Sequence, residues 1–314
     1  MPTYLVTGGA GFVGSHLVEA LVRRGDRVRV LDNLSTGKIE NSVSVAEDVE
    51  LLTGDVADEA AVQRAVAGCE VVFHQAALAS VPRSLEEPLA THAACATGTL
   101  VVLHEARKAG VRRLVYAGSS SAYGNPPQSS TPKRETDVPA PLSPYAAAKL
   151  AGEMYCQAFW KSYSFETVVL RYFNVFGPRQ DPQGPYAAVI PLFIQAILAG
   201  RQPTIFGDGR QTRDFTYVEN VVQANLLAAE VGGAAGQVFN VGSGVAYSLL
   251  DVLRELNTIL DASVEPLFQP ERAGDVRDSL ADITRAKEVL GYSPAIGFIE
   301  GLRRTADSYR GKSL

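Results

Sequence analysis

Two hydrophobic rhythms alternate along the first half of this 314-residue chain. Short apolar runs occur at 4–6, 28–31, 50–52, 71–73, 114–116 and 167–170. Between them, apolar positions recur every three or four residues at 15–24, 59–67, 98–109 and 144–162. The first rhythm predicts strands and the second amphipathic helices. Strands that are apolar at nearly every position must be covered on both faces, so their alternation with helices predicts a doubly wound α/β domain around a parallel sheet. Past Arg171 the regularity breaks. Loops rich in Gly, Pro, Gln and Asp at 177–185 and 207–213 separate shorter elements, among them predicted helices at 190–198 and 249–260 and a segment at 284–290. We read 1–173 as the main domain and 174–314, with those three elements, as a smaller C-terminal α/β lobe that binds substrate. The apolar stretch 238–241 suits the main sheet, which makes the boundary discontinuous.

Composition narrows the class without changing this picture. With 46% hydrophobic and 20% charged residues the chain is globular rather than disordered. Its net charge of −5, with Lys and Arg scattered singly, offers no stripe for a nucleic-acid backbone. Cys69, Cys95 and Cys156 lack CxxC spacing, so we expect reduced thiols, no disulfides and no metal site. No apolar run reaches the roughly 18 residues a membrane span needs, and a strand beginning within three residues of Met1 leaves no room for a leader. A cytoplasmic protein is expected.

The first strand-to-helix junction carries the candidate chemistry. Gly8-Gly9-Ala10-Gly11-Phe12-Val13-Gly14 follows the strand end Leu5-Val6-Thr7 directly. Glycines are wanted here for unusual backbone angles and so that a pyrophosphate can approach a helix N-terminus. Alone, such a triplet is equally a structural turn. At the first junction of a βαβ unit it predicts a dinucleotide cradle and a Rossmann-type fold. Asp32 stands eighteen residues past Gly14, at the end of the second strand, where a carboxylate takes both hydroxyls of an adenosine ribose and repels a 2′-phosphate. NAD is therefore expected over NADP, with Asp55 and Val56 beside the adenine.

Ser143-Pro144 starts a helix, the serine as N-cap and the proline at the first helical position. Tyr145 and Lys149 then lie one turn apart on one face. A phenol with an ordinary pKa of about 10 is a poor base at neutral pH unless a cation favours the phenolate, and Lys149 is placed to be that cation. Gly118-Ser119-Ser120-Ser121 ends the fifth strand, on the carboxyl edge where open α/β sheets bind ligands. A serine hydroxyl beside such a pair makes an alcohol-oxidation site.

Taken together, Thr7 to Gly14, Asp32-Asn33, Gly54-Asp55-Val56, His74-Gln75-Ala76-Ala77, Ser119-Ser120-Ser121, Tyr145-x-x-x-Lys149 and Leu170-Arg171-Tyr172-Phe173-Asn174 make the chain resemble an extended short-chain dehydrogenase/reductase over almost its whole length. Ser80-Val81-Pro82-Arg83-Ser84, Tyr186-Ala187-Ala188-Val189-Ile190-Pro191 and the stretch from Gly207 to Phe215 narrow the likeness to UDP-sugar 4-epimerases, especially the branch acting on UDP-N-acetylglucosamine. The resemblance implies a catalytic trio of Ser119, Tyr145 and Lys149. It adds Asn33, Ser35, Gly37, Gln75, Ala76, Ala77, Tyr172 and Phe173 to a cofactor set that begins with Gly8, Gly11, Phe12, Val13 and Gly14. It places Ser120, Ser121 and Arg83 near the sugar, and Asn174 and Arg213 at the diphosphate. Ala188, Val189, Thr204, Ile205 and Phe206 would form a uracil slot, over which Arg272 and Asp275 close. Read from the residues alone, Arg213 and Arg272 are equally surface ion pairs, and Ile205 and Phe206 equally core. Relatives carry Asn in an Asn-x-x-Gly-Thr helix start where this chain has Cys95-Ala96-Thr97-Gly98-Thr99, so a polar contact near the cofactor is missing or replaced.

The family likeness implies transient oxidation at C4 of a UDP-hexose. A dehydratase needs an acidic pair after the catalytic hydroxyl and a decarboxylating relative a Glu, whereas Ser120, Ser121 and Ala122 stand here. That favours hydride return to the other face, hence a 4-epimerase. Ser279, which the resemblance puts at the pocket wall where some relatives have a tyrosine, leaves room for an N-acetyl group. A UDP-glucuronate 4-epimerase using Arg83, and a non-catalytic NAD-binding sensor, remain as alternatives. The resemblance also implies a homodimer through helices 98–109 and 144–162.

Overall fold

A computed structural model describes residues 2–125, 132–182, 187–271 and 276–310, with 42–46 as backbone only. Seven strands, β1 (Thr3–Thr7), β2 (Arg27–Asp32), β3 (Val49–Thr53), β4 (Val71–His74), β5 (Arg113–Ser119), β6 (Glu166–Tyr172) and β7 (Val238–Val241), form one sheet in the order β7-β6-β5-β4-β1-β2-β3. Every pairing is parallel. The six apolar runs fall within β1–β6, and 238–241 joins the sheet beside β6. The order of connection reverses between β1 and β4, which opens a crevice at their carboxyl ends.

The main helices are α1 (Phe12–Arg23), α2 (Glu59–Val66), α3 (Gly98–Lys108), α4 (Pro144–Tyr163), α5 (Val189–Leu198), α6 (Val218–Glu230), α7 (Leu249–Leu260) and α8 (Phe298–Tyr309). Consecutive strand residues enter opposite cores. Val6, Val115 and Val168 pack with Leu17 and Leu21 of α1 and Val221 and Ala224 of α6. Leu5, Leu114 and Val169 pack with Val62 of α2, Leu103 of α3 and Phe159 of α4 on the other face. Side chains alternate across a strand, so a sheet covered on both sides needs an apolar residue at every position, each worth about 1.5–3 kcal/mol when fully buried.

A third cluster joins Ile190, Phe193, Val252, Leu256, Leu302 and Phe298 from α5, α7 and α8 around Phe176 and Phe215. It is the core of the smaller lobe. The segment Ala286–Leu290, read from sequence as part of that lobe, packs instead in the first cluster, against α6 and β7. Short strands finish the architecture: Thr204–Phe206 pairs with Leu267–Gln269, and Thr212–Arg213 lies between Tyr247–Ser248 and Asp278–Ser279. Among the described residues no helix is long and apolar enough to cross a membrane, and all three cysteines are free and buried.

Candidate active site

The ends of β1, β4, β5 and β6 bring Thr7, His74, Ser119 and Tyr172 to one edge. The glycine loop follows β1. Gly8 has a φ of +69°, and a Cβ there would lie 2.7 Å from the Ala76 nitrogen; a Cβ on Gly14 would lie 2.1 Å from the Gly8 carbonyl oxygen. Side chains therefore have no room in the turn. Gly11 caps α1 without a side-chain acceptor, so first-turn N–H groups are left to meet an anion. At the far side, the Asp32 carboxylate accepts from the Ala10 and Leu34 backbone N–H groups at 3.0 and 2.8 Å, and Gly37 lies so close that its Cβ would be 2.9 Å from Oδ1. No cation pairs with Asp32 among the described residues. Amide donors at one end and a fixed, uncompensated carboxylate at the other fit the two ends of a dinucleotide. Asn33 donates to Asp55 at 2.7 Å on the exposed rim with Ser35, while Val56 sits largely in the core.

Gln75 is held with Tyr172 and Asn225 in a hydrogen-bonded group, with distances of 2.8–3.2 Å. Burial pushes the Tyr172 phenol up to about 12. Asn225 lies on α6, an element the sequence reading did not anticipate. Phe173, expected to border the nicotinamide, has no exposed surface and lies tilted against Tyr123, with ring centroids 6.1 Å apart, inside the core. A side chain with no exposed surface has no face to offer a ligand, so only its backbone is available there.

Ser143 starts α4 as expected, accepting from the Ala146 N–H at 3.1 Å. Tyr145 is partly buried and Lys149 almost wholly so. Burial, and the neighbouring Cys95 thiol, push the Tyr145 phenol up. A hydrogen bond from Ser119 counters that rise. Ser119 Oγ also lies 2.8 Å from Ser121 Oγ and accepts from the Ser121 N–H at 3.2 Å, so the two hydroxyls converge beside the phenol. Burial lowers the Lys149 pKa, and its Nζ stands 4.5 Å over the ring of Tyr116. Cys95 falls in a one-turn π-helix, Ala93–Thr97, and packs its thiol with Ala148 and Tyr145. An apolar contact thus stands at the position where the resemblance led us to expect an amide.

Beneath this group, His74 is fully buried. Its Nδ1 meets the Thr7 hydroxyl at 2.7 Å and its Nε2 the Thr99 hydroxyl at 3.0 Å, while that hydroxyl donates to the Cys95 carbonyl. Nε2 therefore carries the proton of a neutral ring. Burial, helped by the Lys149 charge, holds the His74 pKa down to about 3. The unfolded chain protonates this ring near 6.5, so between those values the unfolded chain binds more protons and acid favours it. Stability is expected to fall by roughly 1.4 kcal/mol per pH unit on acidification through that window. In urea titrations between about pH 4 and pH 6, His74→Gln should remove most of that slope; an unchanged slope would contradict the assignment.

On the substrate side, Ser279 pairs directly with Arg213 in neighbouring short strands. The Arg213 guanidinium donates to the Thr212 and Arg277 carbonyls at 2.8 and 3.1 Å. Buried Asp214, also missed from sequence, accepts from Ser243, Gly244 and Ala281 and so ties this strand to the end of β7. Asn174, Ala188 and Thr204 are exposed, and Val189, Phe206, Ser120 and Ser121 are partly so. Ile205 is wholly buried with Phe193 and Val252, which makes it core rather than slot lining. Arg83 pairs with Glu87 at 2.9 Å. Arg272 and Asp275 lie outside the described residues, as does Tyr186. The His/carboxylate group Glu59, His104 and Glu105 lies away from this edge, and Lys108 already meets Glu105 at 2.8 Å.

The family model described as the NAD dependent epimerase/dehydratase family matches residues 4–242. A UDP-glucose 4-epimerase from Mycolicibacterium smegmatis is 43% identical over 318 residues, covering 98% of this chain and 99% of the relative. The crystal structure of a Thermotoga maritima UDP-glucose 4-epimerase with UDP-glucose superposes with a TM-score of 0.93 at 41% identity, covering 98% of each chain. A Methanobrevibacter ruminantium UDP-N-acetylglucosamine 4-epimerase, in complex with UDP-N-acetylmuramic acid, also gives 0.93, at 39% identity and 98% coverage of each chain.

Proposed function

The chain belongs to the NAD dependent epimerase/dehydratase family, and from that premise we propose that it is a UDP-sugar 4-epimerase that interconverts UDP-GlcNAc with UDP-GalNAc and accepts UDP-Glc and UDP-Gal as well. The observation that carries this reading is the convergence of Tyr145, Ser119 and Ser121 at the carboxyl edge with no acidic side chain at 120–123. Bound NAD supplies the hydride acceptor and, on return, the hydride donor. Tyr145 Oη takes the proton of the C4 hydroxyl while Ser119 hydrogen-bonds the same oxygen. With no acid at 120–123 to remove a further proton, elimination and decarboxylation are disfavoured. Once the keto sugar has turned about its phosphate linkage, Tyr145 returns the proton on the opposite face.

That turn requires a firm anchor, so binding energy belongs at the uridine diphosphate. Asn174 and Arg213 serve the diphosphate, with Ala188, Val189, Thr204 and Phe206 at the uracil and Arg272 and Asp275 over them. Ser279, opposite Arg213, leaves space at C2. Ser279→Tyr is expected to lower turnover of N-acetylated relative to plain UDP-hexoses by at least about tenfold, the worth of a steric conflict of 1–3 kcal/mol. Competition assays with both substrates measure it, and an unchanged ratio removes Ser279 from the gate.

A uronate epimerase is less favoured because the Arg83 guanidinium is already matched by Glu87. A non-catalytic sensor would have no use for the Tyr145 and Ser119 pair. Exposed Met154, Tyr155 and Tyr163 on α4 offer a face for a homodimer. Incubating the protein with a panel of UDP-sugars and reading the epimers by NMR tests the whole reading; a panel in which no sugar is converted overturns it.

A further inference from the structure

Lys149 carries its charge into a part of the molecule where only 3% of the residue is exposed. Among the described residues no carboxylate or hydrogen-bond acceptor meets its Nζ. The groups around it are His74 from β4, Tyr116 from β5, Cys95 from the 93–97 turn, and Cys156 on its own helix, with Tyr145 one turn earlier on that helix. None is a carboxylate. What faces the ammonium directly is the Tyr116 ring, with its centroid 4.5 Å away. A ring face is negative by its quadrupole and holds a desolvated cation without quenching it as a carboxylate would.

Tyr116 is itself held from three sides. Its hydroxyl donates to the Lys149 carbonyl at 3.1 Å, so one side chain grips both ends of the lysine. Gly152 makes room for it, since a Cβ there would lie 2.3 Å from Tyr116 Oη. On the ring itself, neutral His74 stacks at 5.8 Å with an interplanar angle of 29°. The Thr7 and Thr99 hydroxyls pin His74 in turn. A lysine stem has four rotatable carbons and samples many positions when unheld. Here a fixed aromatic column stands under its end.

We propose that Tyr116 is a positioning residue for the reaction: its ring face sets where the Lys149 ammonium stands and thereby how readily Tyr145 gives up its proton in the NAD-loaded protein. This rests on the reading of Tyr145 and Lys149 as the acid–base machinery. The reasoning is electrostatic, because the influence of an ammonium on a phenol falls with distance and with solvent.

Two variants separate the ring from the hydroxyl, and two readouts separate this inference from the proposed activity. The readouts are the pH profile of kcat on a UDP-sugar, and the titration of the Tyr145 phenol in NAD-loaded protein, taken as ultraviolet difference spectra against Tyr145→Phe in the same background. Tyr116→Phe keeps the ring face and is expected to keep the position of the acid limb. Tyr116→Met fills similar space without a face, and should move the acid limb and the phenol titration up by about one pH unit. Its kcat near neutrality should fall about tenfold, recover as pH rises, and leave KM little changed, a pattern that simple destabilisation does not produce. A Met variant whose phenol titrates where the wild type does would overturn the proposal. So would a Phe variant whose phenol titration moves up from the wild type's by about one pH unit, a result that stands even if the Met protein does not fold. If the wild type converts no UDP-sugar, the proposed activity fails, yet the phenol titration still decides the role of Tyr116.

Discussion

Tyr145→Phe is expected to lower turnover of the preferred UDP-sugar by about three orders of magnitude, within the range for loss of a positioned general base. The substitution keeps the ring, and with it the contacts of that side chain with Cys95 and Ala148, and deletes only the oxygen that Ser119 hydrogen-bonds. Nucleotide affinity should therefore stay within about twofold, since the groups assigned to the diphosphate and uracil lie on other segments. Turnover followed by NMR and UDP binding followed by calorimetry check the two halves. A Phe variant retaining a tenth of wild-type turnover would mean that another group takes the proton, with Ser119 and Ser121 the first to test.

Glu153→Leu is expected to cost about 3–5 kcal/mol of folding stability. Glu153 and Arg171 are both almost fully buried, with guanidinium nitrogens donating to the carboxylate at 2.6 and 2.9 Å, and the guanidinium lies 4.6 Å over the Tyr123 ring. Removing the carboxylate strands a cation in the core, which costs more than the pair was worth. The double variant Glu153→Leu/Arg171→Met removes both charges and should recover most of the loss. The pair also joins α4, which carries Tyr145 and Lys149, to β6, which ends at Tyr172, so the single variant should lose activity along with stability. Urea unfolding of the three proteins decides the matter; a single variant with the wild-type midpoint is the contrary result.

How far the site was legible depended on the range of the interactions that make it. The helix start at Ser143-Pro144 and the one-turn spacing of Tyr145 and Lys149 are local, and both are present as read. What that spacing does not show is that the ammonium rests on the Tyr116 ring and that Ser119 hydrogen-bonds the phenol. Tyr116 and Lys149 are 33 positions apart, and no spacing rule connects them. Phe173 and Ile205 carried plausible motif positions, yet the assembled fold turned both side chains inward. The helix α6 escaped notice because it is buried on several sides and carries Asn220 and Asn225 inside, which blurs the 3.6-residue period. The stripe Phe298, Leu302, Ala306, Tyr309 did hold the period of α8, and was overlooked.

By itself the sequence determined the elements of the parallel sheet, the glycine turn, the acid at the end of the second strand and the helix that presents the tyrosine, because each is set by contacts within a few residues or by a period repeated along the chain. Only the tertiary structure decided which buried groups Lys149, His74 and Asp214 meet, and which face of each strand lines the crevice. Those outcomes turn on desolvation and on partners tens of residues away, and burial is a property of the assembled fold rather than of any local stretch of chain.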